Sequence, residues 1–356
     1  MMTQTMTYPR LWGSLILGWL LILTGCAGRS QEEELPEPVP VQEQGYALSL
    51  SAVTRSVSEI GDANCPDIKV FLTTADKIDM DDGYFHYVED QWTSNITVKE
   101  ERQYYIYGYM PENLTAEIGK PSDADYSAGA DLTMSSLPVV TADVQDDICV
   151  IVGVQRTDAG VVTPTEGNFS YLSGTYGNNH VNLLMDHLYP QLELNFTIDA
   201  EYAKVRSIYL KKVELTTSFS EANVTVKLKK NKGIDEAVFT PKGNTEVTRT
   251  VYDAGDDQSK EKELSLSHPS SPLSFFCAPC IFDDGTTFYA VYLKTTYDVC
   301  DKAGDRIGQR ESINRLNISG SELLPGQKKT VKLTVKPTYL YVLSDGDLDD
   351  PVVTIN

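Results

Sequence analysis

Histidine, basic charge and long apolar runs are all scarce in this chain, and each shortage removes a class of function. Among 356 residues there are four histidines: His86, His180, His187 and His268. No two stand at HxxxH or HxH spacing, and none sits beside a Cys in a zinc-ligand pattern. Serine-hydrolase GxSxG, Walker and dinucleotide-binding glycine patterns are missing as well. Nothing here specifies an enzyme, so no catalytic residue, metal site or cofactor is expected. Lys and Arg total 30 against 51 Asp and Glu, a formal charge of −21. Phosphate neutralisation needs a basic face, so nucleic acid is excluded as a partner. The same charge suits solubility outside the cell.

Apolar runs are short, and the one at the N-terminus has a specific form. Arg10 precedes the run Leu11–Leu23, which is broken only by Gly13, Ser14 and Gly18. A membrane-spanning helix needs about 20 apolar residues, so this run reads as the h-region of a secretion signal. It ends in Leu23-Thr24-Gly25-Cys26, which resembles the lipobox cut by the lipoprotein signal peptidase. Residues 1–25 are then a signal peptide, and Cys26 is a diacylated first mature residue. Residues 26–45 form a tether: Glu32, Glu33 and Glu34 run together, and Pro36, Pro38 and Pro40 alternate after them. Such sequence stays extended and cannot build a core. The acidic run resembles an export signal for the outer face of the outer membrane, although a solvated linker has the same composition.

Five cysteines follow Cys26: Cys65, Cys149, Cys277, Cys280 and Cys300. An odd count cannot pair completely within the chain. Cys277-Ala-Pro-Cys280 has the spacing of a redox motif, but a thioredoxin-like site requires it to open a helix in an α/β unit. Here it lies in the apolar run Leu273–Phe282, which points to a structural disulfide or buried thiols.

What the chain does hold is strand pattern. Twenty Tyr, abundant Thr and Val, and almost no long segment of helical period predict an all-β protein. Tyr46, Leu48, Leu50 and Ala52 alternate with Ala47, Ser49, Ser51 and Val53, the pattern of a half-buried strand. That strand runs out at Arg55 in the polar sequence Thr54-Arg55-Ser56, which offers a basic residue to a trypsin-like protease. An ordinary first strand with a surface Arg has the same pattern. Further strands are predicted at Ile68–Thr73, at Tyr84–Val88 after an Asp82-Gly83 turn, and at Tyr104–Tyr109. Ile148–Val154 is apolar throughout, the mark of burial on both faces. The segment 112–140, with Pro121, Gly129 and Pro138, reads as a long loop. Short strands with regular turns predict a first sandwich over 46–190.

A second sandwich is predicted over 191–337, with strands at Leu192–Ile198, Val205–Leu215, Val224–Leu228, Thr287–Tyr297 and Val331–Val335. Asp284-Gly285 between apolar runs suits the type I′ turn of a hairpin. Beyond Pro337, Thr338–Leu343 and Pro351–Ile355 are two more strand-like pieces around an acidic hinge. Within a completed sandwich they would either extend a sheet edge or remain without a partner. Asp345, Asp347 and Asp349 share the start of a calcium loop, but Gly is missing at its sixth position and Glu at its twelfth, where Asn356 stands.

Lipobox Cys26, the acidic tether, a first strand ending at Arg55, two β regions and the C-terminal stretch 337–351 together resemble the fimbrillin superfamily of type V pilus subunits. Tyr104–Pro111 and Leu192–Leu215 carry the rest of the likeness, which covers nearly the whole chain. The resemblance implies two tandem transthyretin-like β-sandwiches and export as a lipoprotein anchored in the outer membrane. It implies cleavage between Arg55 and Ser56 by an Arg-directed protease, and head-to-tail assembly with other pilus subunits by donor-strand exchange. Tyr46, Leu48, Leu50 and Ala52 would belong to the removable strand. Tyr339, Tyr341 and Leu343 would belong to a donor extension over 338–356. An uncleaved anchor, a tip adhesin, or a surface lipoprotein binding glycan or host protein are the alternatives.

Overall fold

The computed structural model describes residues 45–55, 66–89, 91–121, 124–141, 147–157, 163–175, 179–266, 272–282, 289–337 and 351–355. Cys26, the tether, Ser56, Cys65, His268, the turn at Asp284-Gly285, Tyr339, Tyr341, Leu343 and the acidic triplet from Asp345 lie outside the described residues.

The protein is all-β, as its composition predicts. In chain order the first strands are β1 (Tyr46–Ala47), β2 (Ser49–Arg55), β3 (Ile68–Thr73), β4 (Ile78–Val88), β5 (Gln91–Ser94), β6 (Thr97–Val98), β7 (Gln103–Met110) and β8 (Thr115–Gly119). Next come β9 (Gly129–Pro138), β10 (Val140–Thr141), β11 (Cys149–Thr157), β12 (Ser170–Leu172), β13 (His180–His187), β14 (Gln191–Ile198), β15 (Ser207–Thr217) and β16 (Glu221–Lys229). The last are β17 (Gly233–Lys242), β18 (Val247–Asp253), β19 (Lys262–Glu263), β20 (Leu273–Cys277), β21 (Tyr292–Cys300), β22 (Arg306–Arg315), β23 (Lys328–Pro337) and β24 (Pro351–Ile355). Among the described residues no helix is long and apolar enough to cross a membrane.

One large sheet has the order β2-β13-β11-β7-β3-β4-β5, with β12 also on β7. Its central strands β7 and β11 are apolar on both sides because both faces are buried there. Along β11, Cys149, Ile151 and Val154 point into one core and Val150 and Val152 into another. β7 divides the same way: Tyr104, Ile106 and Met110 face the first core, Tyr107 and Tyr109 the second. The sheet curls, since β5 returns to lie against β2 and β6 pairs with β1. Its concave face encloses the first core.

The second core is larger and draws on residues from both sides of Pro190, with Leu132 and Met134 packed in one cluster with Val224 and Val226. Three further sheets surround it: β17-β16-β9-β8, β10-β20-β14-β23-β24, and β18-β15-β21-β22 with β19 on β15. Two of them therefore combine strands from before and after position 190.

Three local expectations are corrected. Segment 112–140 is not a loop, because β8 and β9 occupy most of it and β9 pairs along β16. Ala130, Leu132 and Met134 are buried while Thr133 and Ser135 are exposed, so a period-2 pattern lay between Gly129 and Pro138, two of the three residues that suggested a loop. Gly129 begins β9 at φ 152°, and a Cβ there would strike the Leu228 carbonyl of β16. The glycine thus permits a close strand approach. Asp82-Gly83 is no turn either, since β4 runs through it with Gly83 opposite Val70 and irregular register beyond. The hairpin around Asp284-Gly285 also fails: β20 pairs with β14 and β10, whereas β21 pairs with β15 and β22. The chain leaves β20 through a short 3₁₀ turn at Pro279–Ile281 and changes sheet.

Candidate functional site: the seat of the first strand

Backbone hydrogen bonding fixes where the first strand sits. Tyr46 stands opposite Val98 and Ala47 opposite Thr97 in the antiparallel β1–β6 pair. The Leu48 N–H then donates to the Ile96 carbonyl at 2.9 Å, and the Ser49 N–H donates to the Asn179 carbonyl on the other flank, also at 2.9 Å. From there β2 runs parallel to β13, with Ser49 opposite His180, Leu50 opposite Val181, Ala52 opposite Asn182 and Arg55 opposite Met185. Ser49 Oγ is 2.6 Å from His180 Nδ1, which accounts for one of the sequence's histidines. The strand is therefore held from two sides, on the β6 flank at its start and along β13 thereafter.

The alternation predicted for this strand is present in its burial. Leu48 is 1% exposed and Leu50 8%, while Ala47 is exposed and Tyr46 half-buried. Both leucines enter the enclosed core, in the same cluster as Phe85, Ile96, Val98, Val181 and Leu183. Burial of two leucine side chains contributes about 3–6 kcal/mol. The slot beneath them is apolar and the backbone groups along it are paired, so emptying it would leave both exposed apolar surface and orphaned donors and acceptors. Arg55 is the last residue of β2.

The C-terminal piece Pro351–Ile355 forms β24 at the edge of its own sheet, antiparallel to β23, with Ile355 opposite Leu333 and Val353 opposite Val335. It pairs there with a single strand, whereas the first strand is shared between two, β1 with β6 and β2 with β13.

Cys277, Cys280 and Cys300 are free thiols. Cys277 ends β20 and Cys280 lies in the following 3₁₀ turn. Burial raises both thiols, Cys280 to about 12, so the thiolate needed for redox exchange is scarce. Among the histidines, His86 pairs with Asp67. His187 pairs with Asp147 at 2.6 Å and lies 3.7 Å from Cys149 Sγ. Spacing along the chain did not reveal this last grouping. Cys149 and His187 are far apart in sequence and become neighbours only through the β11–β13 register.

No protein-family model matches the chain, and no curated protein does either. Among solved structures, a fimbrial protein from Bacteroides vulgatus is similar at 14% identity and a TM-score of 0.43, covering 87% of this chain and 98% of its own. A Bacteroides uniformis protein described as a cell adhesion protein is similar at 12% identity and 0.41, over 88% of this chain and 98% of its own. The fimbrial anchor protein Mfa2 from Porphyromonas gingivalis is similar at 10% identity and 0.28, over 86% of this chain and 96% of its own. The structural neighbours are fimbrial and cell-adhesion proteins. Identities and superposition scores this low assign neither a family to this chain nor a role to any of its residues.

Proposed function

We propose that this chain is a pilus subunit precursor whose first strand is a removable plug. The observation that carries the reading is the seat of β1–β2, held by β6 at its start and by β13 thereafter, with Leu48 and Leu50 buried in an apolar core. Lipid on Cys26 would hold the precursor at the outer membrane and cell surface. Cleavage after Arg55 by an Arg-directed protease would cut the covalent link that retains the plug. An incoming strand from a second subunit would then satisfy both the apolar slot and the orphaned backbone, the logic of β-strand addition. A head-to-tail contact of this kind does not close on itself and gives a filament. Residues 338–356 are the donor in this scheme, with Tyr339, Tyr341 and Leu343 spaced two apart like the plug's own inward residues.

The pairing of β24 with β23 favours a second reading, an uncleaved anchor that keeps its C-terminal strand at home. One variant separates the two. Arg55→Ala should remain monomeric under limited trypsin treatment while the parent chain forms higher-order species, measured by light scattering. Equal assembly by the two chains would remove the cleavage step, and no assembly by either would leave the anchor reading.

A further inference from the structure

We propose that Asp147, Cys149 and His187 form a binding site for a single zinc ion at the junction of β11 and β13. Neither the plug nor the strand exchange uses these residues, so the inference stands apart from the pilus reading. Local geometry assembles the site. Asp147 and Cys149 are two residues apart in extended chain and so share a face. Antiparallel pairing sets His187 directly opposite Cys149, and side chains in such a pair meet. Asp147 and Cys149 are fully buried, and the His187 side chain is 13% exposed. The imidazole stacks on Phe276 of β20, with ring centroids 5.4 Å apart and planes at 19°. The donors thus converge at one buried point with a single ring edge toward solvent.

The three donor atoms are a sulfur, a nitrogen and an oxygen, the set from which zinc sites are built. Cys149 Sγ lies 3.7 Å from Asp147 Oδ2 and 3.7 Å from His187 Nδ1, and the Asp147–His187 pair is 2.6 Å apart. Zinc bonds of about 2.3 Å to sulfur and about 2.1 Å to nitrogen or oxygen give tetrahedral edges of about 3.6 Å to the sulfur and about 3.4 Å between the lighter atoms. Two edges already fit. The third is closed by the carboxylate–imidazole hydrogen bond, and exchanging that proton for the metal would open it by less than about 1 Å. Binding releases the Cys149 thiol proton as well, and a water completes the fourth position.

The alternative chemistry for this trio is a nucleophilic cysteine activated by a histidine and an acid. Such a relay needs the acid on one ring nitrogen and the thiol on the other. Here Asp147 and Cys149 both face Nδ1, which suits shared ligation and not proton relay. The position gives the ion a structural role. His187 lies two residues beyond Met185, the partner of Arg55, so the metal would pin β13 to β11 just past the end of the plug.

Cobalt(II) is the probe. Titrated into the reduced full chain, it should produce a thiolate-to-metal charge-transfer band and the visible spectrum of a four-coordinate ion, saturating at one equivalent and bleached by Zn²⁺. Cys149→Ser should lose the charge-transfer band, Asp147→Asn and His187→Gln should weaken cobalt binding at least about tenfold, and Cys277→Ser with Cys280→Ser should change nothing. Zn²⁺ should also raise the thermal midpoint of the parent chain and not that of Cys149→Ser. The parent chain alone decides the matter if a variant fails to fold, because no charge-transfer band there overturns the proposal. A band that survives Cys149→Ser overturns it equally.

Discussion

Leu48 and Leu50 show how few side chains can decide whether a strand stays. Each is nearly without solvent contact, while their neighbour Ala47 faces outward. Truncating a buried Leu to Ala typically costs about 2–5 kcal/mol. Leu48→Ala should therefore lower the unfolding free energy of the uncleaved chain by an amount in that range, read as a lower midpoint in urea. An unchanged midpoint would mean that the slot does not depend on the plug. At this scale the sequence was readable wherever alternation spoke for itself, as in Tyr46–Leu50. It was silent where function came from pairing: His187, Cys149 and Asp147 carry no spacing signal, because two of them meet the third only across a strand boundary.

Strands were legible in proportion to how completely one residue pattern controlled them. β3 spans Ile68–Thr73, the bounds that its apolar run suggests, and β14 likewise follows the alternation of Leu192–Ile198. β9 was hidden by Gly129 and Pro138, which mark its ends and have the composition of a loop. Glycine there serves close approach to β16, a tertiary demand that no local propensity encodes. The β20–β21 hairpin misled for the opposite reason, since turn chemistry was present but the flanking strands belong to different sheets. The β9–β16 pairing also has an energetic consequence. Because it ties residues before Pro190 to residues after it, the two regions should unfold together. Trp92 packs against the enclosed core and is the one tryptophan beyond the signal run, so its fluorescence reports the curled sheet. In urea, its transition should coincide with far-UV circular dichroism, and Met134→Ala on the fully buried face of β9 should shift both transitions equally. Two separated transitions would show that the regions fold as independent domains.

For the molecule as a whole, the question is which strand pairing wins once Arg55 is cut. Among the described residues β24 pairs with β23 at the edge of its sheet, while the plug's seat offers β6 to the start of the strand, β13 to the rest, and an apolar floor. Moving a C-terminal segment into the emptied seat on a neighbouring subunit replaces pairing with β23 by pairing with β6 and β13 and buries about two large apolar side chains, a gain of roughly 3–6 kcal/mol before the entropy of association is charged against it. That margin is small enough for the resident plug to block the reaction while it remains covalently attached, because its local concentration is far above that of any neighbour. Three mixtures follow. A chain lacking 338–356 should, after trypsin, cap the growth of parent polymers, since it accepts a strand and donates none. A free peptide of residues 46–55, added in excess to cleaved parent chain, should reoccupy the slot and keep the subunits monomeric. The same peptide carrying Leu48→Ala and Leu50→Ala should fail to do so, which ties inhibition to the two leucines and not to backbone pairing alone. Sedimentation of each mixture reads the result. Polymers that grow equally in all three would place the contact between subunits somewhere other than the seat of the first strand.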